Sequence, residues 1–249
     1  MAKKRNDGRE TRERLLVAAG VIFADKGFRD ATTADICRQA KANIAAVNYH
    51  FGSKERLYIE SWRHAFKQSL VAHPPDGRVL PTASAEERLR GQIKALLHRT
   101  MDSTNLDFTI GYREMTTPTG LLAEVMRRSI DPLRLALQGV VRELLGVQAT
   151  DLRVRLCETS IHAQCFSPLT LARHQHRCTN GKAAGPPPLA VDADVLAEHV
   201  FRFSLAGICA VRQAGRRTEK TNETTAQGHK KGTTRRCRSS YRTASSAPS

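Results

Sequence analysis

The stretch TTADICRQAKANIAAVNYHFGSK, residues 32–54, decides the fold. Ile36, Ala40, Ile44 and Val47 recur at helical spacing and give two short helices one apolar stripe each. Thr32 or Thr33 can cap the first helix, and Asn43 can cap the second. Lys41, Ala42 and Asn43 leave room only for a sharp reversal between them. This is the pattern of a helix-turn-helix, whose second helix enters the DNA major groove. The outward side chains of that helix are small or polar: Ala45, Ala46, Asn48, Tyr49 and His50. Alanine methyls suit thymine methyls, and Asn48 could form a bidentate pair with adenine. Tyr49, His50 and Lys54 carry groups suited to phosphate contacts.

Such a pattern can also be a helical hairpin that merely closes a core, so its flanks matter. Upstream, Leu15, Leu16, Ala19, Ile22 and Phe23 form the apolar face of a longer helix ending near Gly27. Downstream, Ser53 opens a helix containing Leu57, Tyr58, Trp62 and Phe66. Together these make a compact all-α module of three to four helices.

RERLLVAAGVIFADKGFRDATTADICRQAKANIAAVNYHFGSKERLY, residues 12–58, resembles the DNA-binding domain of TetR-family transcriptional regulators. Tyr49, Phe51 and Lys54 match that family's Y-x-F-x-x-K motif. The resemblance implies a phosphate contact at Thr33 and base-reading positions at Asn43, Ala45, Ala46 and Asn48. It implies backbone contacts at Tyr49, His50 and Lys54. The second half resembles the ligand-binding domain of a CecR-like branch, on YREMTTPTGLLAEVMRRSIDPL (112–133) and IHAQCFSP (161–168). A departure is RHQHRCTNGKAAGPPPLAVD (173–192), more polar and proline-rich than that likeness leads one to expect. The branch implies a small-molecule effector held by helices carrying His98, Phe108, Tyr112, Arg113, Met115, His162 and Gln164. For any one of these, ordinary packing or exposure is the competing role.

The remaining pattern is helical throughout. Residues 71–85 form a Pro-rich connector, ending in the capping-box pair Ser84 and Glu87. Amphipathic helices follow from Leu89, over Phe108–Met115, Leu121–Ser129 and Pro132–Leu145, then over Leu152–Phe166 and Val195–Val211. The expected domains are a flexible basic arm (1–11), a DNA-binding domain (12–70), the connector, an effector-binding and dimerisation domain (86–212) and a disordered basic tail (213–249). One helix-turn-helix offers too few contacts for a long operator, so a homodimer should read two half-sites. TetR-like proteins pair their last two helices; here Leu156, Ile161, Phe166, Leu196, Val200, Phe203, Leu205 and Ile208 could furnish that surface or serve the monomer core.

Lys and Arg number 40 against 24 Asp and Glu, a formal +16 concentrated at the two ends of the chain. That balance suits phosphate-rich partners. It also keeps open a non-specific nucleic-acid-binding protein, which the near-neutral middle does not favour. The start, MAKKRNDGRETRER, lacks the apolar stretch of a secretory signal, and no apolar run is long enough for a bilayer, so a cytoplasmic protein is expected. The tail is poor in aliphatic residues and can at most add non-specific DNA affinity. The cysteines at 37, 157, 165, 178, 209 and 237 lack a C-x-x-C knuckle. Cys157, His162, Cys165, His174, His176 and Cys178 are therefore read as packing and loop residues, and neither a metal nor a cofactor is expected. Cys37 should be core. No G-x-S-x-G or phosphate-binding glycine loop supports an enzyme.

Overall fold

A computed structural model describes the backbone of residues 2–178 and 191–236 and the side chains of residues 7–167 and 191–216. Among the described residues the chain is helical, without strands. The helices are α1 (Ala2–Asp30), α2 (Thr33–Ala40), α3 (Ile44–Phe51), α4 (Lys54–Ala72), α5 (Ala85–Met101), α6 (Leu106–Thr116), α7 (Ala123–Leu145), α8 (Asp151–Cys178) and α9 (Ala193–Arg236).

Local sequence explains most of these boundaries. Gly27, at φ 77°, breaks α1 in a conformation that costs glycine little. Thr32 caps α2 through Asp35, Asn43 caps α3 through Ala45, and Ser53 caps α4 through Arg56. Ser84 and Glu87 form the anticipated capping box at the start of α5. The connector is pinned by a backbone contact: a Cβ on Gly77, itself at φ +62°, would lie 2.3 Å from the Gly91 carbonyl oxygen.

Three expectations are corrected. Segment 1–11 is helical from Ala2 rather than a flexible arm; it is free of proline and rich in good helix formers, and the Thr11 hydroxyl donates to the Asp7 carbonyl. The stripes at 121–129 and 132–145 belong to one helix, α7, with Pro132 inside it. A proline there removes one hydrogen bond, and the apolar face formed by Leu137, Val140, Val141 and Leu145 continues beyond it. The last two helices also run past 166 and 211, and α9 carries helical backbone through residues 213–236, expected as a disordered tail; that stretch holds no proline to stop the helix. Of the proline-rich departure, residues 179–190 lie outside the described residues, as do 237–249 of the tail.

Two cores result. The first joins Leu15, Phe23, Ile36, Val47, Phe51 and Trp62 of α1–α4 to Ile110 on α6 and to Leu122 and Val125 at the start of α7. The second gathers Leu89, Ile93 and Leu97 of α5 with residues of α7, α8 and α9. Each fully buried Leu, Ile or Phe contributes about 1.5–3 kcal/mol. The boundary between the two cores therefore does not fall at the 71–85 connector, because α6 and the start of α7 pack with the helix-turn-helix domain. Cys37 is buried in the first core, as expected.

Candidate nucleic-acid interface and effector cavity

The helix-turn-helix presents α3 at the surface while Val47 and Phe51 anchor it below. Tyr49 is 84% exposed, and Asn43, Ala45 and Asn48 are also exposed. His50 is half-buried, its ring 4.9 Å from that of Tyr49. Thr33 is half-buried in the first turn of α2. Asn43 spends its Oδ1 on the Ala45 N–H at 3.0 Å, so its side chain fixes the start of α3 as well as facing solvent.

Two residues depart from their expected places. Ala46 packs against the first core and is only partly accessible. Ile44, expected in the apolar stripe, is 51% exposed at the first position of α3. The two exchange faces because a helix this short seats only one turn on the core, through Val47 and Phe51. Lys54 is half-buried: its ammonium lies 4.6 Å from the Phe28 ring centroid and donates to the Arg29 carbonyl at 3.4 Å. It thereby ties the start of α4 to the end of α1. Nearby, Lys26 and Arg38 both pair with Asp35, at 2.8 and 3.0 Å. The Lys26 ammonium and the Thr32 hydroxyl hold the Asp35 carboxyl down at about 2.

Behind the DNA-binding domain lies a cavity of about 360 Å³ between α4, α5, α6, α7 and α8. Its walls include Trp62, Phe66, Phe108, Tyr112, Met115 and Phe166, with Arg99, Asp107, Arg134 and His162 as its charged or ionisable members. A second cavity of about 200 Å³, reaching Pro75 and Gln92, shares Leu96, Arg99, Leu133 and His162 with it. Arg99 and Asp107 are both 4% exposed and pair at 3.2 Å. The guanidinium sits between the rings of Phe66 and Phe108, at 5.2 and 5.1 Å. Burial pushes the Asp107 carboxyl up and the Arg99 guanidinium down, and each partner works against the other's shift. Burial also lowers His162, so its ring is neutral at pH 7 although Glu158 lies 3.1 Å away. Burial alone would raise Glu158, but hydrogen bonds from Arg134 and Gln138 outweigh it and keep the carboxylate ionised.

Phe108, Tyr112, Met115 and His162 thus line the cavity. His98, Arg113 and Gln164 do not. His98 meets Asp194 of α9 at 2.7 Å, and Gln164 donates to the Ser160 carbonyl and the Ser204 hydroxyl in the groove between α8 and α9. Arg113 points the other way from α6, donating to the Ala24 carbonyl at 2.7 Å and to that of Asp25. The next residue was not anticipated at all. Glu114 accepts from the Tyr58 hydroxyl at 3.2 Å and from the Thr119 and Gly120 N–H groups at 3.0 and 2.8 Å. The side chains of His174, His176 and Cys178 lie outside the described residues. Among the rest, no group of three or more His, Cys, Asp or Glu could hold a metal ion.

The candidate dimer residues divide. Ile161, Leu196, Val200 and Ile208 are buried in the second core, while Leu156 is 58% and Phe203 64% exposed. Leu152 and Val195, at 67% and 62%, continue that exposed face along α8 and α9. No helix among the described residues is long and apolar enough to cross a membrane.

Comparison with known proteins follows this division of labour. The profile of bacterial regulatory proteins of the tetR family matches residues 15–60, and that of the C-terminal domain of the HTH-type transcriptional dual regulator CecR matches residues 85–208. CecR of Shigella flexneri is 33% identical over 162 residues, covering 60% of this chain and 71% of its own. The chain belongs to the TetR family of bacterial regulatory proteins. The HTH-type transcriptional repressor AcnR of Corynebacterium jeikeium is 28% identical over 155 residues, 59% of this chain and 69% of its own. Among solved structures, the transcriptional regulator FadR of Bacillus subtilis in complex with stearoyl-CoA superposes with a TM-score of 0.57 at 19% identity, covering 78% of this chain and 98% of that one. That likeness concerns the fold. The chain is a TetR-family transcriptional regulator with a helix-turn-helix DNA-binding domain.

Proposed function

We propose that this regulator is a cytoplasmic homodimeric repressor that binds a palindromic operator and is released by a small-molecule effector. The observation that carries the proposal is the double allegiance of α6. One side of this helix, through Phe108, Tyr112 and Met115, lines the cavity. Its other residues hold the DNA-binding domain, Arg113 on α1 and Glu114 on α4. A molecule seated against α6 therefore biases the helix that positions α1 and α4, and with them α3. Only an effector that binds the DNA-competent and the released arrangements unequally can shift that balance.

On the DNA, Asn48 and the exposed Ile44 face the bases, with Asn43 and Ala45 beside them, and Tyr49 meets the backbone. Thr33, His50 and Lys54 face the backbone. Leu152, Leu156, Val195 and Phe203 pair with their copies across a two-fold axis. Twofold pairing sets the two α3 helices about one turn of B-DNA apart, roughly 34–36 Å. Covering a promoter blocks polymerase, which makes repression the simplest outcome.

Selection of bound duplexes from a random pool at physiological salt tests this reading. It predicts a palindrome with half-sites about 10 base pairs apart, or a multiple of that spacing. Tight, salt-sensitive binding with no recovered motif would instead favour a non-specific binder driven by the basic ends.

A further inference from the structure

We propose that the effector cavity takes an uncharged aromatic molecule whose polar group both donates and accepts a hydrogen bond, as a primary carboxamide or a phenol does. The inference rests on the effector reading and adds the ligand's chemical class. Three observations lead to it.

The first is the wall. Aromatic residues make up only 5% of the chain, yet Trp62, Phe66, Phe108, Tyr112 and Phe166 all converge on this cavity. Such rings favour a flat π-system held by offset or edge contacts. The second is charge balance. Arg99 is matched by Asp107, Arg134 is matched by Glu158, and His162 is neutral. An ionic ligand would enter without a countercharge, which is costly in an apolar enclosure. The third is an unfilled pair of polar positions. The Arg99 Nε–H and the Asp107 Oδ1 are buried without a hydrogen-bond partner, and both residues border the cavity. Both atoms present almost no surface of their own, so it is a small rotation of the two side chains at the cavity wall that lets a ligand group accept from the first and donate to the second, removing both deficits at once. Gln92 Oε1 is likewise buried and unpartnered, at the border of the adjoining cavity, which leaves room for a second donor on a longer ligand.

The chain contains one tryptophan, Trp62, whose Nε1–H donates to the Asp107 carbonyl at 3.2 Å. Its single indole cross-peak in a nitrogen–proton correlation spectrum therefore reports on this cavity. The test titrates the full-length, isotope-labelled protein with 2-naphthamide, 2-naphthoate and 2-naphthamidine, which share one ring system and differ in charge, and separately with palmitoyl-CoA. The neutral amide should move the indole peak saturably, with a Kd at least about tenfold below those of both charged analogues. In Asp107→Asn the Arg99 charge is uncompensated, so naphthoate should overtake the amide. The wild-type series stands alone if that variant does not fold.

Equal or tighter binding of naphthoate, naphthamidine or palmitoyl-CoA would overturn the proposed class, as would an indole peak that none of them moves. Operator affinity is measured separately on the same samples. Saturation by the amide with unchanged operator affinity would overturn the effector reading and leave the ligand class standing.

Discussion

Helices α3 and α6 are both short, and they differ in where their polar side chains go. On α3, Asn48 and Tyr49 are exposed, and the helix is held from beneath by Val47 and Phe51. On α6, Arg113 and Glu114 are committed to α1 and α4, while Phe108 and Tyr112 face a cavity. One helix displays its chemistry outward, to solvent. The other spends its chemistry holding two parts of the molecule in register. Substitutions on the exposed face of α3 should therefore change recognition without changing stability, and substitutions on α6 should change both.

The largest effect is expected at the proposed subunit contact, where Phe203→Glu would place a charge in an apolar interface. The dimer dissociation constant should rise about a hundredfold or more in sedimentation equilibrium, with the helical circular dichroism retained. A dimer as tight as the parent would show that α8 and α9 do not pair across this face. Next is Glu114→Ala, which strips a partner from the Tyr58 hydroxyl and from the Thr119 and Gly120 N–H groups. Urea unfolding should show a loss of about 2–4 kcal/mol. A loss below about 0.5 kcal/mol, the range of ordinary surface substitutions, would put α6 on the same footing as α3.

Lys54→Ala should act more weakly, lowering affinity for operator and random DNA alike. It should reduce the slope of log K against log salt by about one if the ammonium meets a phosphate. A change in operator preference would instead mean that Lys54 acts through the Phe28 and Arg29 contacts that tie α4 to α1.

The smallest effect is electrostatic, at Asp35. Its folded value near 2 lies below the ordinary 3.8, so its contribution to stability is present above about 3.8 and fades as pH falls toward 2. The urea midpoints of the parent and Asp35→Asn should differ at neutral pH and converge near pH 2. A constant gap across that range would detach the stabilisation from the carboxylate charge.

The difference between the two helices also explains what could be read from sequence. The caps at Thr32, Asn43 and Ser53, the reversal at Lys41–Asn43 and the anchors Val47 and Phe51 are all local, so α2–α4 follow from their own residues. Ile44 lies off the buried stripe because periodicity fixes a stripe's direction but not which turn of so short a helix lies over the core. On α6 the deciding partners are remote. Arg113 reaches a carbonyl 89 residues earlier, and Glu114 accepts from a hydroxyl 56 residues away. Nothing beside them in the chain distinguishes them from ordinary charged residues of a helix surface. His98 is a further instance, drawn to Asp194 at a separation of 96 residues. The cavity is therefore half legible in the sequence: its apolar lining follows the helical stripes, whereas the orientation of its polar neighbours depends on long-range packing.

The most direct measurement compares the affinity of the parent and of Asn48→Ala for the selected operator and for a random duplex at one salt concentration. Base reading by the exposed face of α3 predicts a loss of about 1–3 kcal/mol on the operator, little change on random DNA and an unchanged melting temperature. Equal affinities of parent and variant on the operator, with Tyr49→Ala behaving the same way, would contradict the assignment of this face to DNA.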